Sequence, residues 1–553
     1  MRSKITSWNL TSGIKMRGRL VFLIIVMYIC EKFEVMAQTV RYPIGEQSFE
    51  QLRKRDCLYV DKTRFIDQII ENGGKYYFLG RPRRFGKSLF LDTLKCFFEG
   101  KRHLFKGLYA DTMDWDWEPC PVLKLDLNSG QYDTSTGIDN VISSQLDKWE
   151  TLYGITRTYD DVGVRLGDII RAACEKTGKG VVILVDEYDK PLVNNLHNHE
   201  NFEYCRSTLA ALYSNFKTCA ECIRLVFLTG VSRFAHLSVF SDLNNIQDIS
   251  LDDDYADICG ITEAELIDNF QEGIRNVAEE YEQSEEETRD EIKKWYDGYR
   301  FSYRGSDIYN PFSLLNLMDK QIFGNYWVQS GTPSLLLKQM KKFDVDVQSL
   351  FNTHCGQSAL SGLDLENPSP VALFYQTGYL TIKDFDKRSR IYTLGLPNEE
   401  VKEGFLEYLL PFYLNTKGED TRFLVSEFVR EFREGDVEGF MRRLKSLFAS
   451  ISYRMRMEQE NNVHNGLLML MLLVGLKVQT ELCTSDGRID LFVATDRYYY
   501  IIELKLDGTA QEALYQINAK DYALPFDVDD RRVFKIGVEF STEKRTLVDW
   551  LVE

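Results

Sequence analysis

An aromatic run at residues 76–79 leads through Gly80 and an arginine-rich loop into Gly86-Lys87-Ser88, at the predicted start of a helix. A strand, a tight loop and a helix N-terminus in this order direct several backbone N–H groups at one point, where a phosphate can be held. The lysine adds a positive charge there, and the serine hydroxyl can reach Mg²⁺. This pattern predicts a nucleotide site. It departs from the usual G-x-x-x-x-G-K-[ST] spacing because Arg81 occupies the first glycine position and Gly80 precedes it.

Two further apolar runs predict buried strands that end in polar residues. Residues 181–185 lead to Asp186 and Glu187, and residues 223–230 lead to Ser232 and Arg233. At such a site one carboxylate holds Mg²⁺ and a second polarises the attacking water. We therefore predict Asp186 for the metal, Glu187 as the catalytic group, and Ser232 and Arg233 as sensors of the γ-phosphate. The alternative is that Asp186 and Glu187 only terminate a core strand.

The strands of this region alternate with helical patterns. With an earlier strand at residues 121–127, four strands predict a parallel, doubly wound sheet. A chain of 553 residues has room for about three units of ordinary size. The net charge of −17 argues against a surface coated by nucleic acid, although it leaves room for a local basic groove.

Eleven cysteines are scattered along the chain without the spacing of a disulfide framework. They are interpreted as reduced thiols, which favours the cytoplasm. Cys219 and Cys222 form a lone C-x-x-C pair on a predicted helix, for which metal binding is not expected.

The N-terminus carries an apolar run at residues 20–30 after three basic residues, and the sequence around Met36 resembles a signal cleavage site. The run is too short to span a bilayer, so we expect no stable membrane association. A secretory leader does not suit the cytoplasmic interpretation. We therefore predict that translation starts at Met36 and that residues 1–37 are a mis-called start or a disordered leader.

The middle of the chain offers less chemistry. Thr262-x-x-Glu265 is a capping box that predicts a helix start, and residues 279–294 predict one charge-rich helix with a solvated face. From there to about residue 455 the pattern is helical with short strands.

A second group of charged residues lies near the C-terminus. Asp490 is predicted to begin one strand, and Glu503 and Lys505 lie two apart on the next, so their side chains share a face. Two carboxylates and an ammonium suit Mg²⁺-assisted phosphodiester hydrolysis, with Asp490 and Glu503 on the metal and Lys505 positioning water or offsetting charge. This is the D…(D/E)-x-K arrangement of restriction-type nucleases. The alternative is a buried Asp490–Lys505 salt bridge without chemistry.

The surroundings of this group favour a nuclease core. An apolar helix at 467–474, a helix after Thr509-x-x-Glu512 that carries Gln516 and Tyr522, and a strand at 533–540 give the order α-β-β-α-β. Gln516 is predicted to orient a water or a phosphate. Glu481, or the pair Glu458 and Glu460, is a candidate for a further acidic ligand, and the sequence does not choose between them.

Several longer motifs resemble one known family, the AAA-ATPase-like proteins that carry a C-terminal PD-(D/E)XK nuclease-superfamily domain. The resemblance runs from Tyr42 onward through the following motifs: Tyr42-Pro43-Ile44-Gly45, Tyr59-Val60-Asp61-Lys62-Thr63, Arg81-Pro82-Arg83-Arg84-Phe85-Gly86-Lys87-Ser88, Asp186-Glu187-Tyr188-Asp189-Lys190-Pro191, Leu228-Thr229-Gly230-Val231-Ser232-Arg233-Phe234, Trp295-Tyr296-Asp297-Gly298-Tyr299, Tyr309-Asn310-Pro311, Tyr375-Gln376-Thr377-Gly378-Tyr379 and residues 487–506. It implies ATP binding and a nuclease-type fold. It also implies that Arg81 belongs to the family pattern and that Arg83 or Arg84 stands beside the phosphates.

The combined prediction is an α/β protein of several units. We expect a P-loop (ASCE/AAA-like) domain at 38–260 with a doubly wound parallel sheet, a mostly helical region at 261–455, and a small restriction-endonuclease-like α/β domain at 456–553. ATP and Mg²⁺ are the expected cofactors, and nucleic acid is the candidate partner. The expected function is ATP-regulated, Mg²⁺-dependent cleavage of nucleic acid; the alternative is a nucleotide-switched module that binds nucleic acid or protein without cutting.

Overall fold

The computed structural model describes residues 40–134, 136–196, 198–233, 245–331, 336, 353–361, 369–414, 418–450, 477–484, 487–526, 530–541, 543 and 546–553. The predictions for residues 1–37 and Met36, for the helix at 467–474 and for Glu458 and Glu460 fall outside these ranges. The strand that contains Glu481 is described, but its side chain is not.

The first part of the chain forms a five-stranded sheet in the order β2-β3-β4-β1-β5. All four neighbouring pairs are parallel, which confirms the predicted parallel sheet. Every residue of β3 is buried, as expected for a strand covered on both faces. The elements in chain order are α1 (Phe49–Lys54), α2 (Arg64–Glu71), β1 (Tyr76–Gly80), α3 (Lys87–Phe98), β2 (Val122–Asp126), α4 (Gly137–Tyr153), α5 (Val162–Thr177), β3 (Val181–Asp186), α6 (Lys190–Asn194), α7 (His199–Thr218), β4 (Ile223–Gly230) and β5 (Gln247–Asp248).

The register of this sheet places the candidate phosphate and metal residues at one edge. Gly80 at the end of β1 pairs with Gly230 at the end of β4, and Asp186 at the end of β3 pairs with Asp126. Since the carboxyl ends of parallel strands lie at the same edge, the loops after β1, β3 and β4 meet there.

The middle region is helical with one small antiparallel sheet in the order β6-β8-β7. The predicted capping box at Thr262 is confirmed. The elements of the middle region are α8 (Glu263–Asn269), α9 (Gln271–Glu280), α10 (Glu285–Tyr296), α11 (Pro311–Lys320), α12 (Tyr326–Gln329), β6 (Thr353–Gly356), α13 (Gln357–Ser361), α14 (Pro370–Thr377), β7 (Thr381–Asp386), β8 (Ile391–Gly395), α15 (Glu399–Leu414), α16 (Gly418–Glu434) and α17 (Val437–Ser450).

Two sequence-based helix predictions were wrong in extent. The charge-rich stretch 279–294 is not one helix, because α9 ends at Glu280 and α10 begins at Glu285 after a second capping box between Ser284 and Glu287. Cys219 and Cys222 also lie outside a helix, since α7 ends at Thr218.

The C-terminal part forms a mixed five-stranded sheet in the order β13-β12-β11-β10-β9, in which only the β11–β12 pair is parallel. Its outer strands β9 and β13 are not in the sequence prediction. Tyr522 follows the predicted helix rather than lying in it, because that helix ends at Ala519. The elements are β9 (Lys477–Thr484), β10 (Gly487–Ala494), β11 (Tyr498–Leu506), α18 (Ala510–Ala519), β12 (Arg532–Ser541) and β13 (Thr546–Val552).

The two faces of the C-terminal sheet have different neighbours. On one face the Tyr500 hydroxyl donates to the carbonyl oxygen of Phe432 in α16 at 2.6 Å, and the Lys445 ammonium in α17 donates to that of Val548 in β13 at 2.6 Å. Helix α18 packs against β11 and β12, and its buried Ile517 lies in one core cluster with Tyr499 and Ile501. The sheet is therefore held between the middle region and its own helix. In the described ranges no helix is both long enough and apolar enough to cross a membrane.

Candidate functional site

The lysine of the P-loop is folded into the loop. Gly86 has a left-handed φ of 99° and precedes α3, which starts at Lys87. The Lys87 side chain is only 3% exposed, and its ammonium donates to the carbonyl oxygens of Arg81 at 2.9 Å and Pro82 at 3.1 Å. It also lies 3.6 Å from the Glu187 carboxylate. The structure therefore brings together the predicted phosphate-binding lysine and the predicted catalytic glutamate.

A cleft of about 920 Å³ opens beside this lysine. Protein cavities of this size hold nucleotide-sized ligands. Its walls include the predicted residues Arg83, Arg84, Gly86, Lys87, Ser88, Glu187 and Ser232. The middle region contributes further walls, among them Phe312 and Thr377, which the sequence did not assign to a site.

Asp186 is set deeper than Glu187. Its carboxylate is buried and accepts a hydrogen bond of 2.7 Å from the Thr229 hydroxyl on the neighbouring strand. Among the described residues, Glu187 and Asp189 line the cleft and Asp186 does not. Glu187 has a positive φ of 54°, which is uncommon for a residue with a side chain and occurs at functional turns.

Ser232 and Arg233, predicted together as phosphate sensors, point in different directions. Ser232 lines the cleft. The Arg233 side chain is buried and pairs with Asp248 at 3.3 Å, beside a separate cavity of about 20 Å³ that Gly80 and Arg81 also line. Gly80 and Arg233, both predicted to contact the nucleotide, are thus placed outside the phosphate cleft. The reason is that β1 carries Gly80 inside the sheet, where its N–H donates to the Ser250 hydroxyl at 2.7 Å.

Arg81 explains the departure from the usual glycine pattern. Its guanidinium donates to the carbonyl oxygens of four residues and lies 4.2 Å from the centroid of the Phe301 ring. Burial lowers the pKa of Arg81 to about 10. The side chain therefore fastens the loop to neighbouring segments and does not enter the phosphate cleft. The four carbonyl acceptors are those of Gly80, Ser250, Tyr255 and Ala256.

Arg83 and Arg84 both line the cleft but are held differently. Arg83 donates to the carbonyl oxygen of Gly331 at 2.6 Å and lies over the Trp327 ring. Arg84 is exposed, has a positive φ of 65°, and lies 4.9 Å from the centroid of the Phe312 ring. Both aromatic partners come from the middle region.

The charged residues predicted near the C-terminus, Asp490, Glu503 and Lys505, lie close together in the C-terminal sheet. The antiparallel register of β10 and β11 pairs Leu491 with Ile502. Continued by one residue, this register sets Asp490 opposite Glu503, and the charge of Asp490 acts on the Glu503 carboxyl group. Directly opposed residues of an antiparallel pair share a face. The Asp490 carboxylate accepts from the Leu504 N–H at 2.9 Å. Asp490 lies inside β10, not at its start as the sequence suggested, since β10 begins at Gly487.

Lys505 and Gln516 complete this group. The Lys505 ammonium lies 3.5 Å from the Glu503 carboxylate and donates to the Gln516 side-chain oxygen at 2.6 Å. The Gln516 amide in turn donates to Glu503. Among the described residues the carboxylate that forms an ion pair with Lys505 is that of Glu503 and not that of Asp490. The Asp490–Lys505 salt bridge of the alternative interpretation is therefore not present.

Glu503 is a buried carboxylate with a raised pKa. It is 2% exposed, and burial, followed by the charge of Asp490, raises the pKa of Glu503 to about 7. Its second oxygen is buried and has no hydrogen-bond partner among the described residues. Two opposed carboxylates with such an oxygen fit a divalent cation. The described ranges hold no cluster of three or more acidic, histidine or cysteine side chains with metal-site geometry, and the side chains of the candidate ligands Glu481, Glu458 and Glu460 are not among those described.

Comparisons with known proteins match the two regions of the chain that contain these groups of residues. The family described as predicted AAA-ATPases matches residues 43–240, and the PD-(D/E)XK nuclease superfamily matches residues 458–550. An uncharacterized protein encoded in the vnfD 5′ region of Azotobacter chroococcum mcd 1 is 36% identical over 524 residues, which cover 93% of this chain and 99% of that protein. The chain belongs to the AAA-ATPase-like family with a C-terminal PD-(D/E)XK domain. No solved structure matches it.

Membership of this AAA-ATPase-like family fits a nucleotide-binding protein with a nuclease-type domain. The two matched segments contain the two groups of residues described above: Lys87, Asp186 and Glu187 lie in the first, and Asp490, Glu503 and Lys505 in the second. The helices between them carry the aromatic residues that contact the P-loop. Of the aromatic residues that contact this loop, Tyr299, which packs on Phe85, lies in a motif of the family resemblance, whereas Phe312 and Trp327 do not.

Proposed function

We propose that this protein binds ATP with Mg²⁺ at the P-loop and that its C-terminal domain cleaves nucleic acid in a Mg²⁺-dependent reaction regulated by the nucleotide. The observation that carries the proposal is the proximity of Asp490 and Glu503 on neighbouring strands, with Lys505 beside Glu503, in a chain whose Lys87 and Glu187 meet at a nucleotide-sized cleft.

At the P-loop, Lys87 and the N-terminal N–H groups of α3 bind the phosphates. A phosphate oxygen would take the place of the carbonyl oxygens that Lys87 now contacts. Ser88 would hold the Mg²⁺, and Asp186, which does not line the cleft, would act through the water shell of that ion. Glu187 orients the attacking water, and the exposed Arg84 supplies positive charge beside the terminal phosphate. Ser232 is the candidate sensor, because its side chain and not that of Arg233 faces this cleft.

The nucleobase has an adjoining place. A mostly apolar pocket of about 90 Å³ shares Pro43, Gly86 and Leu89 with the phosphate cleft. Its other walls include Tyr59 and Val60. An aromatic base fits such a surface by apolar contact.

At the C-terminal site Asp490 and Glu503 hold the cation, which supplies charge stabilisation for the phosphodiester. Lys505, fixed by Glu503 and Gln516, donates toward the phosphate or the attacking water. Gln516, on α18, keeps Lys505 and Glu503 in a fixed relation because it bonds to both.

A continuous set of contacts supports regulation of one site by the other. The Trp327 ring contacts Arg83 of the P-loop, and the Trp327 backbone N–H donates to the Glu400 carboxylate of α15 at 2.6 Å. Helix α15 contacts α16, and Phe432 of α16 packs against Tyr500 of the nuclease sheet with ring centroids 4.7 Å apart.

The test is a cleavage assay on single- and double-stranded DNA and RNA, with Mg²⁺ and with or without ATP. Asp490→Ala should abolish cleavage and leave ATP binding intact, whereas Lys87→Ala should abolish ATP binding and change the rate of cleavage. A wild-type protein that binds nucleic acid in an ATP-dependent way but never cuts it would favour the switched binding module.

A further inference from the structure

Asp189 is a carboxylate in the wall of the phosphate cleft for which the proposed function gives no role. It is 1% exposed, yet it lines the cleft close to Lys87 and Glu187. Burying a charged carboxylate is costly unless it is hydrogen-bonded or paired. Its bonding partners therefore indicate what it does.

These partners are backbone N–H groups of the turn that leaves β4. The Asp189 carboxylate accepts from the Ser232 N–H at 2.6 Å and from the Val231 N–H at 3.2 Å. Gly230 makes this approach feasible, because a Cβ atom at that position would lie 2.6 Å from a carboxylate oxygen of Asp189. Hydrogen bonds to an ionised acceptor are shorter and stronger than neutral ones.

Two other bonds fix the same turn to the segment after β3. The Tyr188 N–H donates to the Thr229 carbonyl oxygen at 3.0 Å, and the Tyr188 hydroxyl donates to the Ser232 carbonyl oxygen at 2.8 Å. Both backbone groups of Ser232 are thus occupied. Its hydroxyl has no recorded hydrogen-bond partner among the described residues, and Ser232 lines the cleft. The hydroxyl is therefore the group of Ser232 that is available to bind a ligand.

From this geometry, and resting on the proposed ATP site, we infer that Asp189 is a positioning residue that makes the site distinguish nucleoside triphosphates from diphosphates. By holding the N–H groups of Val231 and Ser232, it presents the Ser232 hydroxyl to the terminal phosphate. A triphosphate reaches this hydroxyl and a diphosphate does not. The discrimination therefore depends on Asp189 although Asp189 does not touch the nucleotide.

The test measures Kd for Mg-ATP and Mg-ADP by calorimetry on the full chain, for wild type, Asp189→Asn, Ser232→Ala and the double variant. In Asp189→Asn the side chain keeps its shape but has one neutral acceptor oxygen in place of an ionised carboxylate, so its hydrogen bonds to the Val231 and Ser232 N–H groups are weakened. Each single variant should weaken ATP binding by about 10-fold, equivalent to about 1.4 kcal/mol, with ADP binding within about 3-fold of wild type. The double variant should be no weaker for ATP than Ser232→Ala, because the two residues act through one contact.

Asp92→Asn is the matched control. Asp92 is also a buried aspartate that accepts a backbone N–H, that of Phe49 at 2.9 Å, but it does not line the cleft. It should leave both affinities unchanged. Equal weakening of ATP and ADP in Asp189→Asn, or additive losses in the double variant, would overturn the inference.

Two outcomes separate this inference from the proposed function. A wild-type protein that binds neither nucleotide refutes the ATP site and the inference with it. A wild-type protein that prefers ATP, with an Asp189→Asn variant that keeps the preference, refutes only the inference. Should Asp189→Asn fail to fold, Ser232→Ala alone decides, because the inference fails if removing that hydroxyl leaves the ATP-to-ADP ratio unchanged.

Discussion

The Arg83 guanidinium lies 5.2 Å from the centroid of the Trp327 ring, and the Trp327 indole N–H donates to the Arg83 carbonyl oxygen at 3.0 Å. Both ends of the arginine are thus held by one side chain from the middle region. A cation held over an aromatic face is stabilised by about 0.5–2 kcal/mol, more when it is desolvated. The conformation of the P-loop therefore depends on a helix more than 200 residues away in sequence.

The neighbours of Arg83 in the loop have similar contacts. Pro82 lies against Gly378, where a Cβ atom would come within 2.7 Å of the proline ring. Phe85 packs on Tyr299 with ring centroids 4.8 Å apart. Such contacts explain why an arginine- and proline-containing loop can replace a glycine-rich one: tertiary contacts, rather than glycine turns, hold its shape.

The Arg83–Trp327 contact should be measurable as a coupling energy. We expect Trp327→Phe to weaken ATP binding several-fold, because it removes the indole donor and the larger ring. Its effect should be smaller in an Arg83→Ala background, where the contact between guanidinium and ring is already lost and only the hydrogen bond to the backbone carbonyl oxygen of residue 83 remains. The cycle of Kd values should give a coupling of about 0.5–3 kcal/mol, as for other residues in contact. Trp295→Phe is the control, since Trp295 packs against Phe323 and not against the P-loop. Independent effects of the two substitutions would contradict the contact's role.

Lys87→Ala should remove the nucleotide-dependent rise in melting temperature. A ligand bound well below its working concentration stabilises the native state by mass action, so loss of the phosphate-binding ammonium should eliminate the shift. Lys95→Ala is the matched control, because Lys95 lies on the same helix and pairs with Glu99 at its outer end. A variant that still gives the wild-type shift would show that the nucleotide binds elsewhere.

The sequence predicted the features of the fold that depend on local pattern better than those that depend on contacts between distant segments. The strands that end at Gly80, Asp186 and Gly230 were predictable, because continuous apolar runs mark strands buried on both faces. That Glu503 and Lys505 lie side by side followed from their spacing of two along one strand. These features depend on local pattern and on near neighbours in sequence.

The rest depends on contacts between distant segments, which no local pattern encodes. Arg81 is turned away from the phosphates by carbonyl oxygens about 170 residues further along the chain, for example that of Ser250. Arg233 is turned away by Asp248, and Asp189 meets Ser232 only because the segments that follow β3 and β4 lie side by side. For the same reason the capping boxes at Thr262 and Thr509 were predicted and the direction of these long side chains was not.

Glu400 should make stability depend on pH. It is fully buried in α15 and accepts from the Ser313 hydroxyl at 2.7 Å, and burial raises the pKa of Glu400 to about 8. Between its ordinary pKa of 4.5 and this value, the native state holds a proton that the unfolded state has lost. Stability should therefore fall as the pH rises through that window and level off above it.

Glu400→Gln should remove this dependence, because the amide does not titrate. Relative to wild type the variant should be more stable at pH 9 than at pH 5, in urea unfolding followed by circular dichroism. Glu399→Gln is the control, since the adjacent Glu399 is partly exposed and paired with Lys402. Parallel pH profiles of wild type and Glu400→Gln would show that Glu400 is ionised throughout.

Divalent metal binding at the nuclease site should also depend on pH, through Glu503. Its pKa near 7 means that a cation must displace a proton from the carboxyl group at lower pH, so Mg²⁺ should bind more tightly at pH 8 than at pH 6. Glu503→Gln and Asp490→Asn should each abolish the Mg²⁺-dependent rise in melting temperature measured without nucleotide. Asp496→Asn, an exposed carboxylate between β10 and β11, should keep the full rise. Lys87→Ala leaves the Asp490–Glu503 site intact, so this variant should also keep the Mg²⁺-dependent rise in melting temperature. Loss of that rise in Lys87→Ala would assign the metal to the P-loop instead of to Asp490 and Glu503.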